Sequence, residues 1–232
     1  MLECKNLSCT RNNKTLFKNL SFNAEPQSKI LITGQNGSGK TTLIRSLCGL
    51  LPPTSGNIKY YDNDIYENPK LYTSAMAYIG HKNACKDNLT VMQNIEYWAG
   101  VRNTRELIIA AVCCLQLQPV LNIRYSELSS GWRRRVALAR LLVSNANIWF
   151  IDEPFCNLDN TAYDLVINLI KIHSEQNDPD LEVQIIDGTI IRAHACTAEY
   201  KKDSGAQEAL GRSKDGLQLL LIKKMILHRL KH

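Results

Sequence analysis

Gly34-Gln35-Asn36-Gly37-Ser38-Gly39-Lys40-Thr41 is the stretch on which the fold turns. The octet has the spacing G-x-x-x-x-G-K-[ST]. Before it, residues 28–33 form a short apolar run that reads as a strand. After it, residues 41–51 carry Leu43, Leu47, Leu50 and Leu51 at helical spacing, and Pro52-Pro53 stops the pattern. A strand, a glycine-rich turn and a helix form the context that gives this motif its chemistry. Gly34, Gly37 and Gly39 let the backbone curl so that N–H groups point inward at phosphate oxygens. The start of the helix adds the positive end of its dipole. Lys40 is placed for β- and γ-phosphates, the Thr41 hydroxyl for Mg²⁺ and Thr42 for an α-phosphate. Gln35, Asn36 and Ser38 are the remaining members of the cradle.

A second decisive stretch lies downstream. Ile148-Trp149-Phe150-Ile151 is a buried-strand pattern that runs into Asp152-Glu153. Ligands of open α/β sheets bind at the carboxyl ends of strands. Asp152 is expected to hold the magnesium through water, and Glu153 to orient and deprotonate an attacking water. Between the two stretches, strands and helices alternate. Residues 2–8 and 16–23 read as strands joined by a turn at Asn12-Asn13-Lys14. Further strands are read at 57–61 and 76–80. Residues 90–117 look mostly helical, with Ile95, Trp98, Ile108, Ile109, Val112 and Leu115 as core candidates. Helices are also read at 131–144 and 161–175. The expectation is an α/β fold with a mainly parallel sheet.

Length allows one sizeable domain, or one domain plus an appendage. The chain has 232 residues, 44% hydrophobic and 22% charged, which excludes a disordered chain or a fibre. The net charge of +6 is mild and compels no nucleic-acid partner. Eight cysteines show no C-x-x-C pair and no zinc spacing, so free thiols in a reducing compartment are expected. The amino-terminal residues lack an apolar signal core, and no run reaches the ~18–20 apolar residues that span a bilayer. Membrane association is therefore expected to be peripheral, through a partner.

Leu128-Ser129-Ser130-Gly131-Trp132-Arg133-Arg134-Arg135-Val136-Ala137-Leu138-Ala139-Arg140 lies between the two stretches. It resembles the signature segment of ABC-type ATPases, L-S-G-G-Q followed by a helix of the form RVALAR. Phosphate loop, signature and acid pair occur in the family's order, and the resemblance covers residues 1 to about 177. It implies a P-loop NTPase core, a small antiparallel β part and a helical subdomain at about 83–134 that grips an integral membrane permease subunit. It also implies ATP and Mg²⁺ as ligands, and a homodimer closed across ATP. Ser129 and the Gly131 N–H would reach the γ-phosphate across that interface. Asn157-Leu158-Asp159 resembles the loop that crosses the dimer, with Asp159 as its acid. Arg133–Arg135 read as a solvated helix face.

Within the family the chain most resembles the ATPases of cytochrome c maturation, the haem-exporter ATP-binding subunits. The supporting residues are Arg11, Thr15-Leu16-Phe17-Lys18-Asn19-Leu20-Ser21-Phe22, Ile79-Gly80-His81 and Asp152-Glu153-Pro154-Phe155. A site on the cytoplasmic face of the inner membrane is implied. Four departures stand out. Arg11 occupies the position of the ring that stacks on adenine, which a guanidinium also stacks on. Lys82 occupies the place of a metal-sensing glutamine. Ser130 and Trp132 replace a glycine and the glutamine of the signature. The family's histidine, about 32 residues beyond the glutamate, would fall at Ile185. The histidines nearest that position are His173, read as a solvated helix residue, and His194.

Residues 178–232 differ from the body. Asp187-Gly188-Thr189-Ile190-Ile191-Arg192-Ala193-His194 and the segment 205–216 resemble DDE-type insertion-sequence transposases, with Asp187 as the first metal-binding acid. Only one of three acids is present, so no two-metal site forms. The tail is expected to be foreign to the ATPase, irregular and poorly packed, leaving 1–177 as a domain truncated at its carboxyl end. Three functional readings follow: a hydrolysing transporter subunit, a nucleotide-binding remnant with impaired catalysis, or nucleic-acid binding by the tail.

Overall fold

The computed structural model describes residues 2–26, 29–34, 36–153, 183–187 and 218–222. The helix read at 161–175, Asp159 and His173 lie outside the described residues, as does Gln35.

Two sheets make up the framework. The first is antiparallel, in the order β2-β1-β4-β5. Strands β1 (Leu2–Arg11) and β2 (Lys14–Ala24) form the hairpin read from the sequence. Asn12 and Asn13 both take positive φ, 48° and 58°, as a two-residue hairpin turn requires. Strand β4 (Ser55–Tyr60) pairs with β1, and the two-residue strand β5 (Asn63–Asp64) pairs with β4. Leu2, Cys4, Leu7, Leu20 and Ala24 are buried beneath this sheet together with Leu43, Ile44 and Leu47.

The second sheet carries the motifs. Its order is β6-β7-β9-β3-β8, with β3 (Lys29–Thr33), β6 (Met76–Ile79), β7 (Ile148–Asp152), β8 (Val183–Asp187) and β9 (Gln218–Ile222). Strands β6 and β7 are parallel, as are β3 and β8, whereas β9 runs antiparallel to both β3 and β7. Ten residues of the tail, in β8 and β9, are strand, and the rest of 178–232 lies outside the described residues. The physical reason for β9 lies in the slot between β3 and β7, whose facing backbone groups need partners. After Gln218, Leu219-Leu220-Leu221-Ile222 is a continuous apolar run, and the strand is paired along both edges.

The helices pack on these sheets. Helix α1 (Lys40–Leu47) is shorter than the reading of 41–51. Gly49 at φ 71° turns the chain, with Gly49 N donating to the Ser46 carbonyl and Leu50 N to that of Arg45. Leu50 therefore leaves the apolar face and is exposed. Helix α2 (Pro69–Ala75) was not legible as a periodic pattern. Residues 90–117 divide into α3 (Val91–Arg102), a turn at Arg105–Leu107 and α4 (Ile108–Cys114). Ile109 is exposed rather than core, while Ile95, Val112 and Leu115 are buried. The start of α3 is held by Thr90 and Gln93 in a reciprocal cap. Helix α5 (Ser130–Ser144) lies against β6 and β7 in a second core with Trp149 and Ile151. The cysteines Cys4, Cys9, Cys48, Cys85, Cys113 and Cys114 are free thiols, and no described helix is long and apolar enough to cross a membrane.

A Leu220→Pro substitution removes a ladder donor from a strand paired on both sides. We expect it to lower the melting temperature of the full chain by about 4 °C or more. An unchanged melting curve would remove β9 from the sheet.

Candidate functional site

Strand β3 ends at Thr33 and α1 begins at Lys40, so residues 34–39 form the turn between them. Gly39 caps α1 at φ 102°, and a Cβ there would lie 2.9 Å from Leu16 Cβ. The glycine thus serves both a left-handed backbone and the close approach of β2. Asn36 and Gly37 are exposed, whereas Lys40 is buried and donates from Nζ to the Gly34 carbonyl at 2.5 Å. The Ser38 hydroxyl is buried without a hydrogen-bond partner among the described residues. A buried, unsatisfied hydroxyl in a glycine turn, beside a buried ammonium, has the donor chemistry that phosphate oxygens complete.

Strand β7 is buried along its whole length and delivers Asp152 at its end. Thr41 Oγ1 donates to Asp152 Oδ1 at 3.4 Å, and the Tyr78 hydroxyl approaches Oδ2 at 3.5 Å. The two residues read separately as magnesium ligands are thus brought together. One hydroxyl and one carboxylate are hard oxygen ligands of the kind Mg²⁺ takes when it keeps most of its water. Burial raises the Tyr78 phenol, the nearby Asp152 carboxylate raises it further, and Arg45 opposes both. Cys48 is pushed up by burial and then by Asp152.

Glu153 follows in a left-handed conformation, φ 53°, which costs a non-glycine residue roughly 1–2 kcal/mol. Its side chain is partly exposed, with Oε2 3.2 Å from His81 Nδ1. A cavity of about 250 Å³ opens here, lined by His81, Asn83, Leu128, Ser130, Arg133, Arg134 and Glu153. The signature segment therefore borders the glutamate of its own chain. Ser129 caps α5, accepting from Trp132 N at 3.4 Å, and Gly131 is buried in the first turn. Arg11 is exposed at the hairpin end and donates to the Pro52 carbonyl at 3.1 Å. Lys82 is exposed in the loop after β6, and Thr42 is half-buried in α1.

The solvated face expected of Arg133–Arg135 is corrected. Arg134 is 4% and Arg135 5% exposed. Arg135 stacks on the Trp132 ring at 4.6 Å, and Arg133 donates to the carbonyls of Tyr125 at 3.2 Å and Ser126 at 2.5 Å. Arg134 donates to the carbonyls of Gly80, Asp152 and Glu153 and to Asn83 Oδ1. Carbonyls and ring faces replace water around these guanidinium groups. Reading the run as charge alone hid the signal that places Arg134 inside. It shares a helical stripe with Gly131, Leu138 and Leu141, all buried.

Comparison with known proteins follows the geometry. The family model described as "ABC transporter" matches residues 17–156. A cytochrome c biogenesis ATP-binding export protein CcmA from Wolbachia pipientis wMel is 77% identical over 177 residues, 76% of this chain and 86% of that one. The protein of the same name from Nitrosomonas europaea is 38% identical over 174 residues, covering 74% and 82%. Among solved structures, a dimeric ATP-binding cassette in a post-hydrolysis state with ADP and Pi superposes with a TM-score of 0.67 at 22% identity, covering 76% of this chain and 84% of that one. An Atm1-family ABC exporter with ATP bound gives 0.73 at 20% identity, covering 91% and 41%. These last two show the fold.

Lys40→Ala removes the one buried ammonium of the turn. We expect it to weaken binding of a magnesium–triphosphate ligand by about 10–100-fold, the loss of one or two charge-assisted hydrogen bonds, measured by calorimetric titration.

Proposed function

Because the chain belongs to the ABC transporter ATP-binding family, and within it to the CcmA branch, we propose that it binds and hydrolyses MgATP to drive a cytochrome c biogenesis exporter. The observation that supports this best is the meeting of Thr41 and Asp152 beside the Lys40 turn. In this reading the backbone and side chains of Gly34, Gln35, Asn36, Gly37, Ser38, Gly39, Lys40, Thr41 and Thr42 hold the phosphates, and Arg11 stacks on the base. Thr41 and, through water, Asp152 hold Mg²⁺, which when bound neutralises charge on the phosphate oxygens. Glu153 orients the attacking water and takes its proton. Ser129 and Gly131 of one copy, with Asp159, complete the site of a second copy across the nucleotide.

The partner in this reading is an integral membrane permease subunit, gripped by the helical part, on the cytoplasmic face of the membrane. The names of the relatives support haem handling for c-type cytochromes as the biological setting. We further propose that residues 1–177 are the ATPase and 178–232 a tail of separate, insertion-sequence origin. The 177-residue length of the Wolbachia match supports that boundary.

A second reading rests on one observation: the histidines that follow Glu153 nearest in sequence, His173 and His194, do not match the family's spacing. It predicts a remnant that binds nucleotide and does not turn it over. Steady-state ATPase assays of the full chain with its permease separate the two. Glu153→Gln should lower turnover by about 10²–10⁴-fold while ATP still binds. Binding without any Glu153-dependent turnover would establish the remnant.

A further inference from the structure

Arg134 lies one turn inside α5 and is 4% exposed. Nη1 donates to the Gly80 carbonyl at 3.2 Å and to Asn83 Oδ1 at 3.1 Å. Nη2 donates to the carbonyls of Asp152 at 3.0 Å and Glu153 at 2.8 Å. The two sides of the fork therefore face different segments. One holds the end of β6 and the loop that follows it. The other holds the end of β7, where the chain turns left-handed at Glu153.

The acceptors are mostly backbone. A guanidinium has five donors in a rigid plane, so it spans two chain segments at fixed separation, which a lysine cannot do. A charged donor also binds carbonyls more strongly than a neutral one. The loop after β6 is tied to α5 a second time, since Arg140 Nη1 donates to the Asn83 carbonyl at 2.6 Å. Asn83 in turn donates to the Tyr125 hydroxyl at 3.0 Å, on the segment that leads into Ser129. His81, in the same loop, meets the Glu153 carboxylate at 3.2 Å. Glu153 is thus approached from one loop at its side chain and held by one arginine at its backbone.

We propose that Arg134 is a positioning residue for Glu153: it fixes the left-handed peptide that aims the carboxylate and locks it to the loop at Gly80–Asn83. This rests on the reading of Glu153 as the base. The bonds of Arg134 to this region run to the carbonyls of Gly80, Asp152 and Glu153 and to Asn83 Oδ1. Arg134 acts through the peptide of the residue that does the chemistry, so chemistry should suffer and nucleotide binding should not. A shift of about 1 Å in a catalytic group costs up to ~10²-fold in rate.

The test uses the full chain, with Arg134→Met, Arg134→Lys and Glu153→Gln beside the wild type. We expect Arg134→Met to lower kcat by about 10–100-fold with KM for ATP changed by less than about threefold, and Arg134→Lys to recover only part of the loss. Hydrogen exchange in the nucleotide-free chain should rise in both segments 76–85 and 148–153 in the Met variant. Wild-type turnover that Glu153→Gln abolishes secures the base independently. With that in hand, an unchanged kcat in Arg134→Met overturns the positioning role alone, and so does a KM that rises as much as kcat falls. Loss of the folded state in both Arg134 variants, read by thermal melting, makes Arg134 a structural residue and also overturns it. Absence of wild-type turnover, or turnover indifferent to Glu153→Gln, overturns the functional reading and this proposal with it.

Discussion

The bond from Thr41 Oγ1 to Asp152 Oδ1 joins residues 111 positions apart, and the rest of the site depends on it. It requires the start of α1 and the end of β7 to sit at one edge of the sheet. Register shows how this is met. Gln218 of β9 is level with Ile32 on one side and Asp152 on the other. Asp152 therefore lies two strand spacings, about 10 Å, from a point just before Gly34. The turn at 34–39 closes that distance. Two antiparallel pairings through β9 leave β3 and β7 pointing the same way, so both deliver their carboxyl ends to the same place.

Around this bond the fold handles a buried acid. Asp152 is 2% exposed, and a carboxylate taken from water needs donors in return. Thr41 and Tyr78 approach its two oxygens, and Arg134 accounts for its carbonyl. The upward shifts of Cys48 and Tyr78 carry the same message, since each is partly caused by the negative charge beside it. A magnesium ion fits this balance. A divalent cation next to Thr41 would relieve the charge that now weighs on its neighbours.

The phosphate loop, the acid pair and the signature were legible because each requires particular residue types at fixed spacing. Glycines at 37 and 39 have positive φ, and β7 is as buried as Trp149-Phe150-Ile151 suggested. What escaped was set by tertiary packing. Leu50 and Ile109 fit helical periods yet face water, one because Gly49 ends α1 early, the other because α3 and α4 are separate helices. Arg134 escaped for the opposite reason. Its charge argued for solvent, and the carbonyls of three distant residues, with the Asn83 side chain, help make its burial tolerable. Backbone acceptors leave no mark in a sequence pattern.

The tail poses the remaining question, and strand direction bears on it. A slot between two strands accepts an apolar run through backbone ladders, which carry little sequence information, and antiparallel pairing is at least as stable as parallel. That β9 seats between β3 and β7 is therefore compatible with a tail of separate origin. Direction still has a chemical consequence. A parallel strand in that slot would bring to the site the residue that follows its last one. An antiparallel strand brings the residue that precedes its first, and here the strand begins at Gln218, level with Asp152. The parallel strand β8 does end at the site edge, but its last residue is Asp187, paired with Thr33 one position before the phosphate loop. Completion of the sheet and completion of the catalytic edge are thus separate requirements, and in this chain the tail contributes to the first.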